Sequence, residues 1–484
     1  MTFFRLLLLR LSCAAVFVVL VHSGVRAQEG FEHFSVDAHG AGGAYTTLSQ
    51  GVDAIGLNPA LLANPGEHRL QISVLPISAF GIDAGSSFRN VSAISSVFGK
   101  TDSFVSAGTS EHVVDLLSNG KLSGRADVEV LAASYYVPNV GGFGLSWTTH
   151  AALRTQLDQR FLDIFRYAEA NLTQDTITSS NNDLQAQWYS EYALSFGKSL
   201  VSYALTDSTE AFLGSLSVGA AIKYVAGVGF MRLQPGNFVS IQHPTNQTVI
   251  TTRYDLQFAY PDQFDPNQVP NHFDFSFLSS ATAGSGYGID LGAELGLFRS
   301  SDGHNAITVG VSATDIGTIT WTKNTVDRHA DTTKIIYESG SLNNVNDSIA
   351  ILAGKLDHVS SFTSALPSVL RVGAALDLDA IGISIAGTDL TFAAEYANGL
   401  TTVVGSTENA RLGFGLLLNH PGTVLGLRAG LGFTTQAGAS DITFGLGTTI
   451  LNRVNLDIST AKLNELLGSS GNLEMAFSLR VLLL

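Results

Sequence analysis

Apolar and polar residues alternate with a period of two over long stretches of this chain. In residues 472–484 (NLEMAFSLRVLLL), Leu473, Met475, Phe477, Leu479, Val481 and Leu483 share one face, and Glu474, Ala476, Ser478 and Arg480 share the other. Side chains that point alternately to opposite faces define a β-strand. The same design sets Leu216, Val218, Ala220, Ile222 and Tyr224 against Ser217, Gly219 and Lys223. It also sets Tyr287, Ile289, Leu291, Ala293, Leu295 and Leu297 against Gly288, Asp290, Gly292, Glu294 and Gly296. One face is unbroken hydrocarbon and the other is small or charged. The runs are about ten residues long, which is what a tilted strand needs to cross a bilayer.

Fourteen such strands are predicted, the first at 79–88 and the last at 472–483. Their connections alternate in length. Short links fall at 138–140, 299–304, 419–421 and 452, and long ones at 89–124, 154–183, 231–284 and 317–365. Short turns on one rim and long loops on the other, with an even strand number, describe an antiparallel transmembrane β-barrel of the outer membrane. A soluble secreted β-protein would also alternate, and would come free without detergent.

Composition supports the barrel. The chain has 484 residues, 49 glycines and only 14% charged residues, where globular proteins carry about a quarter. Residues 1–27 bear Arg5 and Arg10 ahead of an apolar run, and end in Val25-Arg26-Ala27. This reads as a secretory signal peptide. No later apolar run approaches the roughly 20 residues of a membrane-spanning helix. Removing residues 1–27 takes away three of the 26 basic residues and none of the 41 acidic ones, leaving a net charge of −18. That balance excludes nucleic acid as a partner class. The single cysteine, Cys13, lies in the signal peptide, so thiol chemistry and cysteine-based metal binding are excluded. No cofactor or metal is implied. HExxH and GxSxG patterns do not occur, and Gly197-Lys198-Ser199 has Tyr192 where a phosphate loop needs its first glycine. The sequence therefore points away from an enzyme.

Residues 28–78 precede the predicted wall. Within them, residues 56–65 (GLNPALLANP) hold two Asn-Pro pairs around Ala and Leu. Proline stiffens the chain and restricts the residue before it. A barrel of fourteen strands is too wide for its own side chains to fill, so this compact segment is expected to sit in the lumen as a plug. The domain order is then a signal peptide at 1–27, a plug or hatch at 28–78 and a barrel at 79–484.

Here the residues carry a resemblance. The stretch 40–65 (GAGGAYTTLSQGVDAIGLNPALLANP) resembles the N-terminal region of the FadL-type long-chain fatty acid transporter superfamily and its PorV-like relatives. More diffuse likeness runs through 220–230, 287–297 and 313–324, as in an uncharacterised FadL-related family. The resemblance implies a hatch inside a fourteen-stranded outer-membrane barrel, with Asn58, Pro59 and Ala60 matching the hatch motif. It implies fold more than substrate.

Parity puts Lys223, Asp290, Glu294, Arg371, Glu395, Arg411, Arg428 and Arg480 on the lumen side. They either line a polar path or form internal ion pairs that tie strands and plug together. The outer loops are expected to hold short helices at 111–119 and 159–171. In the second, Phe161, Ile164, Phe165 and Tyr167 make either a mouth for hydrophobic molecules or a lid packed on the rim. Two functions follow. One is passive uptake or binding of a small hydrophobic compound through a plugged lumen. The other is a structural or assembly scaffold that holds surface or secreted proteins. Outer-membrane lipid is a partner in both.

Overall fold

The computed structural model describes residues 36–64, 66, 68–74, 80–84, 121–156, 158, 176–180, 182–202, 213–242, 247–262, 282–299, 305–337, 355–383, 389–406, 410–419, 425–434, 440–450, 453–460 and 473–483. The predicted signal peptide lies outside them. So do the two predicted loop helices and, with the second, Phe161, Ile164, Phe165 and Tyr167.

The wall begins with β1 (Leu70–Val74) and β2 (Phe80–Ala84), two pieces of one stave. Both pair on one side with β3 (Lys121–Val137) and on the other with β21 (Leu473–Leu483). From β3 the antiparallel ladder runs through β4 (Gly141–Gln156), β6 (Asp183–Ser202), β7 (Leu213–Leu233), β10 (Gly284–Arg299) and β11 (Asn305–Trp321). It passes to a stave made of β14 (Phe362–Ala365) and β15 (Val369–Asp377). It then continues through β16 (Asp389–Gly399), β17 (Arg411–Asn419), β18 (Leu425–Thr434), β19 (Ser440–Ile450) and β20 (Val454–Thr460), and returns to β21. Counting each two-piece stave once, the ring closes at fourteen, the even number that leaves no open edge. The wall starts at Leu70, so the predicted boundary at residue 79 is too late. Leu70-Gln71-Ile72-Ser73-Val74 alternates cleanly, but a run of five is too short to stand out alone, and its pairing with β3 and β21 makes it wall.

The same sheet continues outward beyond the rim that carries the long connections. The end of β7 pairs with β9 (Gln247–Ala259). That strand joins β8 (Phe238–Gln242) on one side and β12 (Val326–Tyr337) on the other. The edges are β5 (Thr176–Ser180) and β13 (Lys355–His358). The stretches 231–284 and 317–365 are therefore partly strand rather than loop.

The two faces of the wall follow the alternation. On β7, Val218, Ile222 and Tyr224 are exposed while Ser217, Lys223 and Val225 are buried. Ile222 is 64% exposed and Tyr287 75%. In water such a face would cost roughly 25 cal/mol for each Å² of apolar area, and lipid removes that cost. Trp147, Tyr192, Tyr224 and Tyr287 sit directly opposite one another on β4, β6, β7 and β10, with ring centroids 5.5, 6.2 and 6.3 Å apart. Cross-strand aromatic contacts of this kind stabilise neighbouring staves.

Candidate functional site: the plugged lumen

Residues 36–63 fill the barrel between the staves. They form a one-turn helix α1 (Val36–Gly40) and two 3-10 turns, Gly51–Ala54 and Pro59–Ala63. Val36, Ala41, Ala44, Val52, Ala54, Leu57, Ala60, Leu61 and Leu62 are all buried. Asn58 caps the second 3-10 turn: its Oδ1 accepts a hydrogen bond from the Ala60 amide at 3.2 Å. Its Nδ2 donates to the carbonyl of Thr46 in the plug at 3.1 Å and to that of Ala293 in β10 at 3.4 Å. Pro59 occupies the first position of the turn, where a missing N–H costs nothing. One asparagine thus ends one plug segment, starts the next and ties both to the wall. Asn58, Pro59 and Ala60 lie together at the plug's contact with β7 and β10.

The wall receives the plug on glycines. A Cβ at Gly219 would stand 2.3 Å from the Pro59 carbonyl carbon, and one at Gly292 2.0 Å from Asn58 Oδ1. On β4, a Cβ at Gly142 would meet the Leu62 carbonyl oxygen at 1.8 Å. On β17, one at Gly413 would meet the Gly42 oxygen at 2.2 Å. Gly197 of β6 and Gly415 of β17 face Pro59 and Ala41 in the same way. The small residues on the lumen face are therefore seats on which plug backbone rests directly.

Charges clamp what the glycines admit. Lys223 Nζ lies 3.0 Å from Glu191 Oε1, 2.9 Å from Asp290 Oδ2 and 2.6 Å from Asp315 Oδ1. Asp315 has φ of 58°, at a bulge where the ladder between β10 and β11 shifts register. Asp290 Oδ1 accepts the Asp315 amide at 2.7 Å and holds the bulge. Arg371 donates to Thr314 Oγ1 at 2.8 Å and lies 3.9 Å from Glu395. Glu395 Oε2 in turn accepts the plug amides of Tyr45 and Thr46 at 2.9 and 2.8 Å.

Across the lumen, Arg480 Nη1 stands 3.0 Å from Asp37, 2.7 Å from Asp53 and 3.9 Å from Asp457. Two of these acids belong to the plug. Three carboxylates share one guanidinium, and burial pushes the Asp53 carboxyl up to about 8 against the pull of Arg480, with Asp37 adding repulsion. Arg411 donates to the Gly42 carbonyl at 3.0 Å, and Glu294 accepts from Asn64 at 2.9 Å. The backbone at Arg428 lies in β18 opposite Leu417 and Gly445, and its side chain is outside the described residues.

Lys223 with Asp290, and Arg371 with Glu395, stand at ion-pair distance, whereas Glu294 and Arg411 contact Asn64 and Gly42 of the plug. Glu191, Asp315, Asp37 and Asp53 were not among the predicted residues. Glu191 was legible, since it sits opposite in parity to Tyr192, Leu194 and Phe196. Beyond the Lys223 cluster, Tyr189, Val225, Phe230, Ile319, Trp321 and Leu366 form an apolar layer. Plug, charged belt and apolar layer succeed one another along the lumen side of β7, at Gly219, Lys223 and Val225, and they occupy the axis.

A sequence profile described as a family of unknown function (DUF5723) matches residues 59–447. Among solved structures, the Ralstonia pickettii toluene transporter TbuX is similar at 10% identity and a TM-score of 0.40, over 93% of this chain and 98% of that one. The Pseudomonas putida toluene transporter TodX is similar at 11% and 0.40, over 95% and 98%. A Pseudomonas aeruginosa FadL homologue is similar at 11% and 0.36, over 94% and 99%. No curated protein matches the chain. The barrel assignment rests on the closed ladder itself.

Proposed function

The chain belongs to the DUF5723 family, whose function is unknown, and from the geometry of its lumen we propose that it takes up or binds a small hydrophobic compound, with a sideways route at the first stave. The observation that carries this reading is a surplus of chain in that stave. Ser73 pairs with Arg480 and Phe80 with Phe477. Seven residues of advance on one strand therefore face three on the other. On the β3 side, Val74 pairs with Leu131 and Phe80 with Val128, so six face three. The register of the first stave therefore shifts by four residues against β21 and by three against β3, beside the Arg480 clamp, while the axis is filled. An apolar solute that cannot run down a charged axis has lipid as its alternative exit.

The test is a deletion of four residues within 75–79, which makes the β1 and β2 registers against β21 continuous. Cells with the parent protein take up the apolar dye phenylnaphthylamine, and the deletion slows uptake to the level of cells without the barrel. Native mass spectrometry in mild detergent then finds a bound hydrophobic molecule in the parent. Uptake unaffected by the deletion refutes the lateral route.

A second reading is a non-transporting scaffold for surface or secreted proteins. The filled axis and the added sheet from β5 to β13 favour it. An empty barrel that co-purifies with another protein, without dye uptake, decides for that reading.

A further inference from the structure

The connection after β16 does not stay on its own side of the barrel. Counting round the ring, β16 and β17 are the ninth and tenth staves, and β3, β4 and β6 are the second, third and fourth. Residues 400–406 reach from the former to the latter, half-way round a ring of fourteen. The Val404 amide donates to Gln185 Oε1 of β6 at 3.1 Å, and Arg125 Nη1 of β3 approaches the Gly405 carbonyl at 3.5 Å. A Cβ at Gly405 would lie 3.6 Å from Ala152 Cβ of β4. Val403, Val404 and Ser406 are buried.

The two ends of this span are held unequally. At its root, Leu400 donates to the Ser368 carbonyl at 2.7 Å. Thr401 Oγ1 donates to the Leu366 carbonyl at 2.9 Å and accepts the Ser368 amide at 3.2 Å. At its tip, among the described residues, there is one amide bond and one long contact from Arg125, a guanidinium already paired with Asp127. The root rests on Leu366, a member of the apolar layer that includes Trp321.

We propose that residues 400–406 form a hinged strap over the mouth, which lifts off Gln185 and Arg125 while its root stays fixed, and so controls access to the apolar layer. Lifting breaks those two contacts and exposes the buried Val403 and Val404, so the closed form dominates and the open one is reached by local fluctuation. The strap as an entrance rests on the uptake reading, whereas its movement does not.

The test is a cysteine pair, Ala152→Cys with Gly405→Cys. The predicted 3.6 Å between Cβ atoms suits a disulfide, and the only native cysteine is Cys13. Gly405 has φ of +87°, so oxidised and reduced forms of the same variant are compared, which cancels any strain from the substitution. With Trp147 and Trp188 replaced by Phe, acrylamide added outside quenches Trp321 in the reduced form, and oxidation removes that quenching. Equal quenching in both forms overturns the proposal. Gating of quenching without dye uptake in either form sustains the strap and refutes uptake. Dye uptake unchanged by oxidation overturns the strap as entrance and leaves uptake standing. In the otherwise native chain, Gln185→Ala speeds hydrogen exchange at the Val404 amide about fivefold, the factor one ordinary hydrogen bond is worth. Exchange that is unchanged and as slow as in β16 also overturns it.

Discussion

Replacing Gly219 by alanine puts one methyl group where the plug's backbone already stands. The new Cβ would lie 2.3 Å from the Pro59 carbonyl carbon and 2.4 Å from both the Pro59 oxygen and the Ala60 nitrogen. All three are backbone atoms, so no side chain can swing aside. Restoring ordinary contact requires the 3-10 turn to retreat by about 1 Å, and overpacking of this order costs about 1–3 kcal/mol. Gly229 on the same strand supplies the control, because a Cβ there meets only the Ala259 oxygen, at 4.0 Å. Alanine at 229 is then neutral or mildly stabilising, since glycine weakens a strand interior by roughly 0.5–1 kcal/mol. The assay is hydrogen exchange over residues 36–63 in folded barrels, read beside the heat-dependent gel shift that reports wall closure. Gly219→Ala raises plug exchange by about tenfold or more while the wall still closes, and Gly229→Ala changes neither. Equal plug protection in the two variants would falsify the seating of the plug on glycine.

Asn58→Leu removes the cap and both carbonyl contacts, a loss of about 1–2 kcal/mol, so cells leak large antibiotics while the amount of folded barrel is unchanged; unchanged leakage counts against a plug role. Arg480→Met leaves Asp37, Asp53 and Asp457 without their shared cation, and the plug is released at neutral pH. Hydrogen exchange over residues 36–63 then rises while the gel shift still reports a closed wall. Because burial raises the Asp53 carboxyl from 3.8 to about 8, docking is strongest below its unfolded value and weakens as pH rises through 8. Measured relative to the intrinsic, base-catalysed rate, protection at residues 51–54 therefore falls as pH rises from 4 to 8 and levels off above, and Asp53→Asn flattens the profile. In the outer sheet, burial raises the Asp255 carboxyl to about 6, helped by the neighbouring Asp327 carboxylate, which accepts a hydrogen bond from the protonated form and repels the ionised one. That sheet is firmest below pH 4 and loosens as pH rises through 6, a change that Asp255→Asn abolishes in the exchange of residues 247–259.

Strands β7, β10 and β21 were legible because two unlike surroundings flank them. Lipid on one side and lumen on the other force hydrophobic residues onto every second position. Where that contrast is absent, the signal fades. β9 (QTVITTRYDLQFA) and β12 (VDRHADTTKIIY) mix polar and apolar residues without a clean period, so their sheet was invisible to alternation. Asp315 was hidden for another reason. The bulge turns both Thr314 and Asp315 toward the lumen, which a strict period of two forbids. Lys223 and Asp290 were readable from parity, yet their third partner across β11 was not. Asp37 and Asp53 lie in helical turns of five and four residues, too short for spacing to carry a direction. Asn58 and Pro59 were legible as a stiff turn, and their contact with β10 required the fold.

The seam also has a bearing on how the plug is retained. Arg480, which grips the plug through Asp37 and Asp53, sits on the strand that closes the ring against β1. The plug joins that first stave through only the residues between Asn64 and Leu70. Once the last ladder forms, the wall surrounds a body whose tether is part of the closing joint. The strand that closes the wall is thus also the one that anchors its contents, so the plug's grip on Arg480 and the seam between β1 and β21 stand or fall together.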